Sequence, residues 1–122
     1  MSKVFIIEDD PSIQFLYTEF LKLNGYEIAG IANDGEEAVF MFKSFLEKPN
    51  IIIMDHRMPN KNGIETLKEI LQINPNIKII FASADERIKE YVLSIGAFEF
   101  MKKPFDFSSL IDIVDKAEKC FY

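Results

Sequence analysis

The chain has 122 residues and a formal net charge of −6, which suits one compact domain and argues against nucleic acid as the main partner, because phosphate backbones require clusters of Lys and Arg. Its single cysteine excludes an internal disulfide, and its apolar stretches are too short for a signal peptide or a bilayer span. We therefore expect one cytoplasmic domain over residues 1–122, with no output domain, no membrane partner and no direct contact with nucleic acid.

Apolar runs typical of strands alternate with segments of helical spacing along the chain. The predicted strands cover residues 4–7, 26–31, 51–54, 77–82 and 98–101. The predicted helices cover residues 11–23, 36–46, 64–73, 86–95 and 107–119. The runs at 4–7 and 51–54 lack polar alternation, which indicates central strands covered on both faces. The pattern predicts an α/β fold, a doubly wound five-stranded parallel sheet with five helices.

Charged and hydroxyl side chains directly follow four of the predicted strands. Glu8 and Asp9 follow the first strand, Asp55 the third, Ser83 the fourth and Lys103 the fifth. Sheets of this kind bind ligands outside the carboxyl ends of their strands. We therefore expect these side chains to meet at one edge of the sheet.

Carboxylates at one edge repel each other and are costly to desolvate, a conflict that a hard divalent cation resolves. Mg²⁺ prefers oxygen ligands and keeps waters or phosphate oxygens in its shell. Glu8, Asp9 and Asp55 thus form half of a phosphate site, and Lys103 is placed to pair with a carboxylate or a phosphoryl oxygen. The alternative is that acids here are helix caps, which we favour for Asp10 because it precedes a proline at a helix start.

Two features stay open at the level of local sequence. Taken alone, Ser83 is an ordinary small residue at a strand end. Only the charged residues at the other strand ends indicate that its hydroxyl donates a hydrogen bond to an anion. The bond between Lys103 and Pro104 is either trans or cis, since X–Pro bonds in tight turns adopt both forms.

Four segments, taken in order, resemble motifs of the receiver domain of two-component response regulators, the type found in chemotaxis regulators. They are Glu8-Asp9-Asp10-Pro11, Met54-Asp55-His56-Arg57-Met58-Pro59 with Gly63, Phe81-Ala82-Ser83-Ala84, and Phe100-Met101-Lys102-Lys103-Pro104. The resemblance covers essentially the whole chain. It implies a flavodoxin-like (βα)₅ fold with strand order 2-1-3-4-5.

The resemblance also implies a role for each residue of the site. Asp55 is expected to accept a phosphoryl group from a sensor histidine kinase or a phosphotransfer protein, and Ser83 and Lys103 to bind phosphoryl oxygens. Mg²⁺, for which Mn²⁺ can substitute, is expected to bind to Glu8, Asp9, Asp55 and the backbone carbonyl of Arg57. The acyl phosphate is labile, so the domain is expected to catalyse only its own phosphorylation and dephosphorylation. It is not expected to be an enzyme that acts on a separate metabolite.

Ser83 and Phe100 fall on the switch positions of the family. Phosphorylation is expected to draw Ser83 inward and to repack Phe100, which changes how the fourth helix, fifth strand and fifth helix contact an unknown downstream protein. Phe100 has no hydroxyl, so a switch here would act by packing; the alternative is that Phe100 is only core or surface bulk. Glu8 stands where Asp is commoner, and Ser83 where Thr is frequent.

Neighbours of the motif residues suggest further contacts. Strand alternation turns His56 away from Asp55, so we expect a solvent-facing loop residue rather than a catalytic base. Arg57 and Asp85 lie two residues beyond Asp55 and Ser83, and we expect them to form an ion pair above the phosphoryl group.

Two other functions are compatible with such a fold. A pseudo-receiver would bind partners without phosphorylation, which the complete set of site residues argues against. A hydrolase with an aspartyl nucleophile would usually carry a second Asp two residues later, where Arg57 stands. A nucleotide-binding enzyme would carry a Gly-rich loop after the first strand, where acidic residues stand instead.

Overall fold

The structure is a computed structural model and describes residues 2–121. In this part of the chain the strands are β1 (Lys3–Ile7), β2 (Glu27–Ala32), β3 (Ile51–Asp55), β4 (Lys78–Ser83) and β5 (Glu99–Lys102). The helices are α1 (Pro11–Leu23), α2 (Gly35–Ser44), α3 (Gly63–Ile73), α4 (Lys89–Ser94) and α5 (Phe107–Lys119). None of the helices in residues 2–121 combines the length and hydropathy needed to cross a membrane.

All strand pairs are parallel, and the order across the sheet is β2-β1-β3-β4-β5, as expected. β1 and β3 therefore have a neighbouring strand on both sides. The prediction that residues 4–7 and 51–54 form central strands is confirmed, since none of these side chains has exposed surface. Rigid central strands hold the residues at their carboxyl ends in place.

The core is divided between the two faces of the sheet, because successive strand side chains point in opposite directions. On one face, Phe5 and Phe81 pack with side chains of α2, α3 and α4. On the other, Ile6 and Ile53 pack with side chains of α1 and α5. Each fully buried Ile or Phe contributes about 1.5–3 kcal/mol relative to exposure. Both layers therefore anchor the strands that carry the acidic residues.

The helix predicted over residues 86–95 is shorter in the structure. Asp85 accepts a hydrogen bond from the backbone N–H of Arg87 and begins a 3₁₀ turn over Glu86–Ile88, and α4 follows. Gly96 ends this segment with a φ of 121°, a conformation that favours glycine. The loop after β4 is therefore longer than the sequence pattern indicated.

The helix predicted over residues 36–46 also ends early, at Ser44. Phe45 leaves the helix with extended backbone, and its ring packs edge-on against Phe5 at a centroid distance of 5.1 Å. Aromatic packing against the sheet thus replaces the last helical turn.

Gly63 brings the start of α3 against the end of β3. Its backbone N–H donates to the carbonyl of His56 at 2.9 Å, and a Cβ atom here would lie 2.5 Å from the carbonyl oxygen of Asp55. Only glycine permits this backbone approach. Asn62 and Glu65 form a capping box that fixes the helix start. The backbone at Asp55 is therefore fixed by β3, which it ends, and by the start of α3, which packs against it.

Candidate functional site

The carboxyl ends of four strands bring the predicted site residues to one edge of the sheet. Asp55 is the last residue of β3, Ser83 is the last of β4, and Glu8 and Lys103 directly follow β1 and β5. The backbone N–H of Lys103 donates to the carbonyl of Ser83 at 2.9 Å, which joins the two strand ends. Residues from four separate segments thus share one location.

Lys103 supplies the positive charge at this edge. Its Nζ lies 2.8 Å from Oδ1 of Asp55 and 3.5 Å from Oε1 of Glu8. Burial alone would lower the pKa of Lys103, but the hydrogen bond and charge of Asp55, joined by the charge of Glu8, raise it above its ordinary value. Lys103 therefore stays protonated at neutral pH. The peptide bond that follows it, to Pro104, is cis.

Glu8, Asp9 and Asp55 form a cluster in which one carboxylate oxygen of each lies within 4.8 Å of the others. Glu8 and Asp55 are 2% and 9% exposed, whereas Asp9 is open to solvent. Burial, aided by the charge of Asp55, raises the pKa of Glu8 even though the N–H of Asp10 donates to it at 3.1 Å. Three hard oxygen donors with one side open to water fit Mg²⁺.

Ser83 is buried at the end of β4 and is oriented by its own loop. Its Oγ accepts a hydrogen bond from the backbone N–H of Asp85 at 3.1 Å. A hydroxyl that accepts one hydrogen bond keeps its proton to donate elsewhere. Ser83 is therefore able to donate to a phosphoryl oxygen.

An open cleft of about 380 Å³ joins these residues. Its lining consists of Asp55, Arg57, Ser83, Ala84, Asp85, Arg87 and Lys103. Arg57, Arg87 and Lys103 thus line the same cleft as Asp55, and Lys103 contacts its carboxylate. Such a rim suits the negative charge of a phosphoryl group.

The expected ion pair between Arg57 and Asp85 is wrong. Asp85 is held by Arg87, whose Nε and Nη2 atoms lie 2.9 and 3.0 Å from its two carboxylate oxygens. Hydrogen bonds from the side chain and backbone of Arg87 lower the pKa of Asp85 to about 2. Arg87 lies in the same 3₁₀ turn, so pairing with it orders less chain than pairing with Arg57 from another loop.

The sequence prediction missed Arg87 and Gln14 as residues of the site region. Arg87 could have been found from Asp85, the acid that begins the turn two residues earlier and pairs with it. Gln14, on α1, donates from its amide to the backbone carbonyl of Glu8, and its place on a polar helix face gave no signal. Asp10 is a helix cap, as expected, and accepts the backbone N–H of Ser12 at 2.8 Å.

His56 and Phe100 both contact Phe81 beneath the site. Phe100 is 7% exposed, and its ring stacks on Phe81 with centroids 6.5 Å apart. The ring of His56 lies 5.7 Å from that of Phe81. His56 is half-buried, so the expectation that it faces solvent is met only in part, because its ring packs against Phe81. Burial lowers the pKa of His56.

Comparison with known proteins agrees with this fold and site. The family model of the response regulator receiver domain matches residues 4–115. The chain is 37% identical over 119 residues to the chemotaxis protein CheY of Thermotoga maritima, and the match spans 96% of this chain and 98% of that protein.

Solved structures give the same result. A chain of the CheX–CheY–BeF3–Mg complex from Borrelia burgdorferi has a TM-score of 0.88 at 30% identity, covering 93% of this chain and 86% of that one. The response regulator TrrA from Thermotoga maritima, in complex with Mg²⁺ and BeF, has a TM-score of 0.85 at 33% identity, covering 96% of this chain and 99% of that one.

A parallel sheet in this order with an acidic cluster at its edge defines a receiver-type signalling domain. The chain belongs to the response regulator receiver domain family of two-component systems. Receiver domains are signalling domains rather than enzymes in the usual sense, and they bind Mg²⁺ at an acidic cluster. They interact with histidine kinases or phosphotransfer proteins and with downstream targets.

Proposed function

We propose that Asp55 accepts a phosphoryl group from the phosphohistidine of a sensor histidine kinase or a phosphotransfer protein. The supporting observation is the group of Glu8, Asp55 and Lys103, in which an ammonium holds two buried carboxylates at 2.8 and 3.5 Å. Glu8, Asp9, Asp55 and the backbone carbonyl of Arg57 would hold Mg²⁺ or Mn²⁺, which neutralises charge on the carboxylates and the phosphoryl group. A cytoplasmic location, where kinases find ATP, fits this role.

Each residue of the site has a separate role in phosphoryl transfer. A carboxylate oxygen of Asp55 attacks phosphorus, an O–P bond forms, and the P–N bond to the donor imidazole breaks as the imidazole leaves and takes up a proton. Lys103 and the hydroxyl of Ser83 stabilise the charge on the phosphoryl oxygens. Water later cleaves the acyl phosphate, which returns Asp55 and releases inorganic phosphate.

An apolar surface beside the cleft supports a protein as the phosphodonor. Ile13, Leu16 and Tyr17 of α1 line a second cavity of about 390 Å³ together with Phe105 and Lys103. Lys103 lines both cavities, so a protein that delivers a phosphoryl group to the cleft would lie beside this apolar surface.

Acetyl phosphate tests the proposed function without the unknown kinase. With acetyl phosphate and Mg²⁺, the intact mass should rise by about 80 Da, the mass of one phosphoryl group. With EDTA in place of Mg²⁺, the rate should fall by about 100-fold or more, because the ion supplies several kcal/mol of charge stabilisation. Incorporation that is equally fast in EDTA would refute the metal site, and no incorporation with Mg²⁺ would refute the function.

We also propose that Ser83 and Phe100 couple phosphorylation to the face formed by α4, β5 and α5, which contacts a downstream protein. Phe100 is supported as the coupling residue because it lies in β5 and stacks on Phe81 below Ser83. The movement of Ser83 toward a phosphoryl oxygen would change the space available to this stack.

Hydrogen exchange tests the coupling. Adding BeF₃⁻ and Mg²⁺, as a phosphoryl mimic, should change amide exchange in α4 and β5 of the wild type by a few-fold, and Phe100→Ala should remove most of this change. Phe98→Ala is the matched control, because Phe98 contacts the opposite core and its loss should leave the change in place. Equal responses in both variants would rule out Phe100 as the switch residue.

A further inference from the structure

The rim of the phosphoacceptor cleft carries an ion pair that the phosphotransfer steps do not use. Both carboxylate oxygens of Asp85 are engaged by the guanidinium of Arg87, at 2.9 and 3.0 Å, and Oδ1 also accepts the backbone N–H of Arg87 at 3.0 Å. The bidentate geometry orients the carboxylate, although the guanidinium is 87% exposed and water therefore screens the pair. Both residues line the same cleft as Asp55.

Asp85 also connects this pair to the site. Its backbone N–H donates to Oγ of Ser83 at 3.1 Å. A continuous chain of hydrogen bonds thus runs from Arg87, at the solvent side, through Asp85 to the hydroxyl of Ser83. The position of the Asp85 carboxylate is set at one end by its own backbone and at the other by Arg87.

Hydrolysis of a phosphorylated Asp55 needs a water molecule in the open part of this cleft. The water oxygen forms a bond to phosphorus, the bond from phosphorus to the Asp55 oxygen breaks, and the carboxylate leaves with the electron pair. The water proton passes to solvent as inorganic phosphate departs. A free carboxylate at the rim would accept a hydrogen bond from this water and orient it for attack.

We propose that Arg87 is a positioning residue that withholds the carboxylate of Asp85 from the attacking water and so prolongs the phosphorylated state of Asp55. While the pair is intact, each carboxylate oxygen of Asp85 accepts a hydrogen bond from the guanidinium, which competes with water for both oxygens. Loss of the guanidinium frees a carboxylate that is already anchored beside Ser83. This inference rests on the proposed phosphorylation of Asp55.

The test compares the decay of the phosphorylated state in Arg87→Met, Asp85→Asn and the double variant. Each protein is phosphorylated with acetyl phosphate and Mg²⁺, freed of donor by rapid desalting, and followed by intact mass. Arg87→Met should speed decay by about two- to fivefold, because an exposed pair holds the carboxylate only weakly, and this is less than the 10²–10⁴ of a fully placed general base. Asn at position 85 retains an oxygen to cap Arg87, so it removes only the carboxylate charge.

The double variant separates positioning from other roles of Arg87. Its decay should match that of Asp85→Asn, because Arg87 has nothing to withhold once the carboxylate is gone. Arg87→Lys keeps a charge but not the bidentate geometry and should decay at an intermediate rate. Lys89→Met, which removes a nearby exposed cation outside the cleft, should decay like the wild type.

Three results would overturn the inference. If Arg87→Met changes decay equally in the wild-type and Asp85→Asn backgrounds, it acts by charge alone, and that result contradicts positioning. Decay that is unchanged or slower in Arg87→Met contradicts it as well. A wild type that takes up no phosphoryl group refutes the proposed function and this inference together, whereas normal uptake with unaltered decay refutes this inference alone.

Discussion

Replacement of Asp55 by Asn is expected to abolish phosphoryl uptake while the domain stays folded. The amide has the shape of the carboxylate but is not a nucleophile toward phosphorus, and it removes one of the three carboxylate charges that would hold the metal. Asp55 is the only carboxylate of the cluster that Lys103 contacts at 2.8 Å, so no neighbour replaces it in the same position. The measurement is intact mass after incubation with acetyl phosphate and Mg²⁺.

Asp10→Asn is the matched control for this substitution. It makes the same chemical change at an exposed acid that caps α1, and Asn is as good a cap as Asp. This variant should take up the phosphoryl group at the wild-type rate. Uptake that survives in Asp55→Asn, or that is lost in Asp10→Asn, contradicts the assignment.

Replacement of Lys103 by Met is expected to slow phosphorylation by about 10²–10³, the cost of removing one preorganised donor from a site of developing charge. The ammonium of Lys103 holds Asp55 and Glu8 in place at rest and neutralises phosphoryl oxygens during transfer. Met keeps most of the aliphatic length and removes the charge. The rate of mass increase with acetyl phosphate and saturating Mg²⁺ reports the loss.

Lys102→Met provides the comparison for Lys103. Lys102 points to solvent, where it pairs with Glu86 at 3.4 Å, and exposed pairs of this kind contribute little. Its loss should leave the phosphorylation rate within about twofold of the wild type, because a screened surface charge changes rates little. Similar rates in the two variants would show that Lys103 acts only through the net charge of the domain.

The pH dependence follows from the raised pKa of Lys103. Because the ionised carboxylates favour its charged form, the stabilisation that depends on the Lys103 charge is fully present below the ordinary lysine pKa of about 10.4 while Asp55 and Glu8 are ionised, and it is lost as pH rises through the higher folded-state value. The ammonium is therefore available throughout the neutral range.

The main features of the site were predictable because they depend on strand ends. The uninterrupted apolar runs before Glu8 and Asp55 required buried central strands, and parallel strands bring their carboxyl ends to one edge. The cap role of Asp10 was also predictable, since the acid precedes a proline at a helix start. These inferences need only the spacing of apolar residues along the chain and the order of its strands and helices.

The errors concern contacts that depend on side-chain packing in loops. Arg57 and Arg87 are both cations near Asp85, and only the 3₁₀ turn that replaces the first part of the predicted helix decides between them. The partial burial of His56 depends on contact with Phe81, which strand alternation does not report.

The position of the phosphoryl group is the most direct test of the account. Wild-type protein phosphorylated with acetyl phosphate and Mg²⁺ is reduced with borohydride, which converts an aspartyl phosphate to homoserine, and is then digested and mapped by tandem mass spectrometry. The account predicts homoserine at position 55, and unmodified Asp55 in the sample treated with EDTA. Conversion at Asp9, Asp10 or another carboxylate, with Asp55 unmodified, would contradict it.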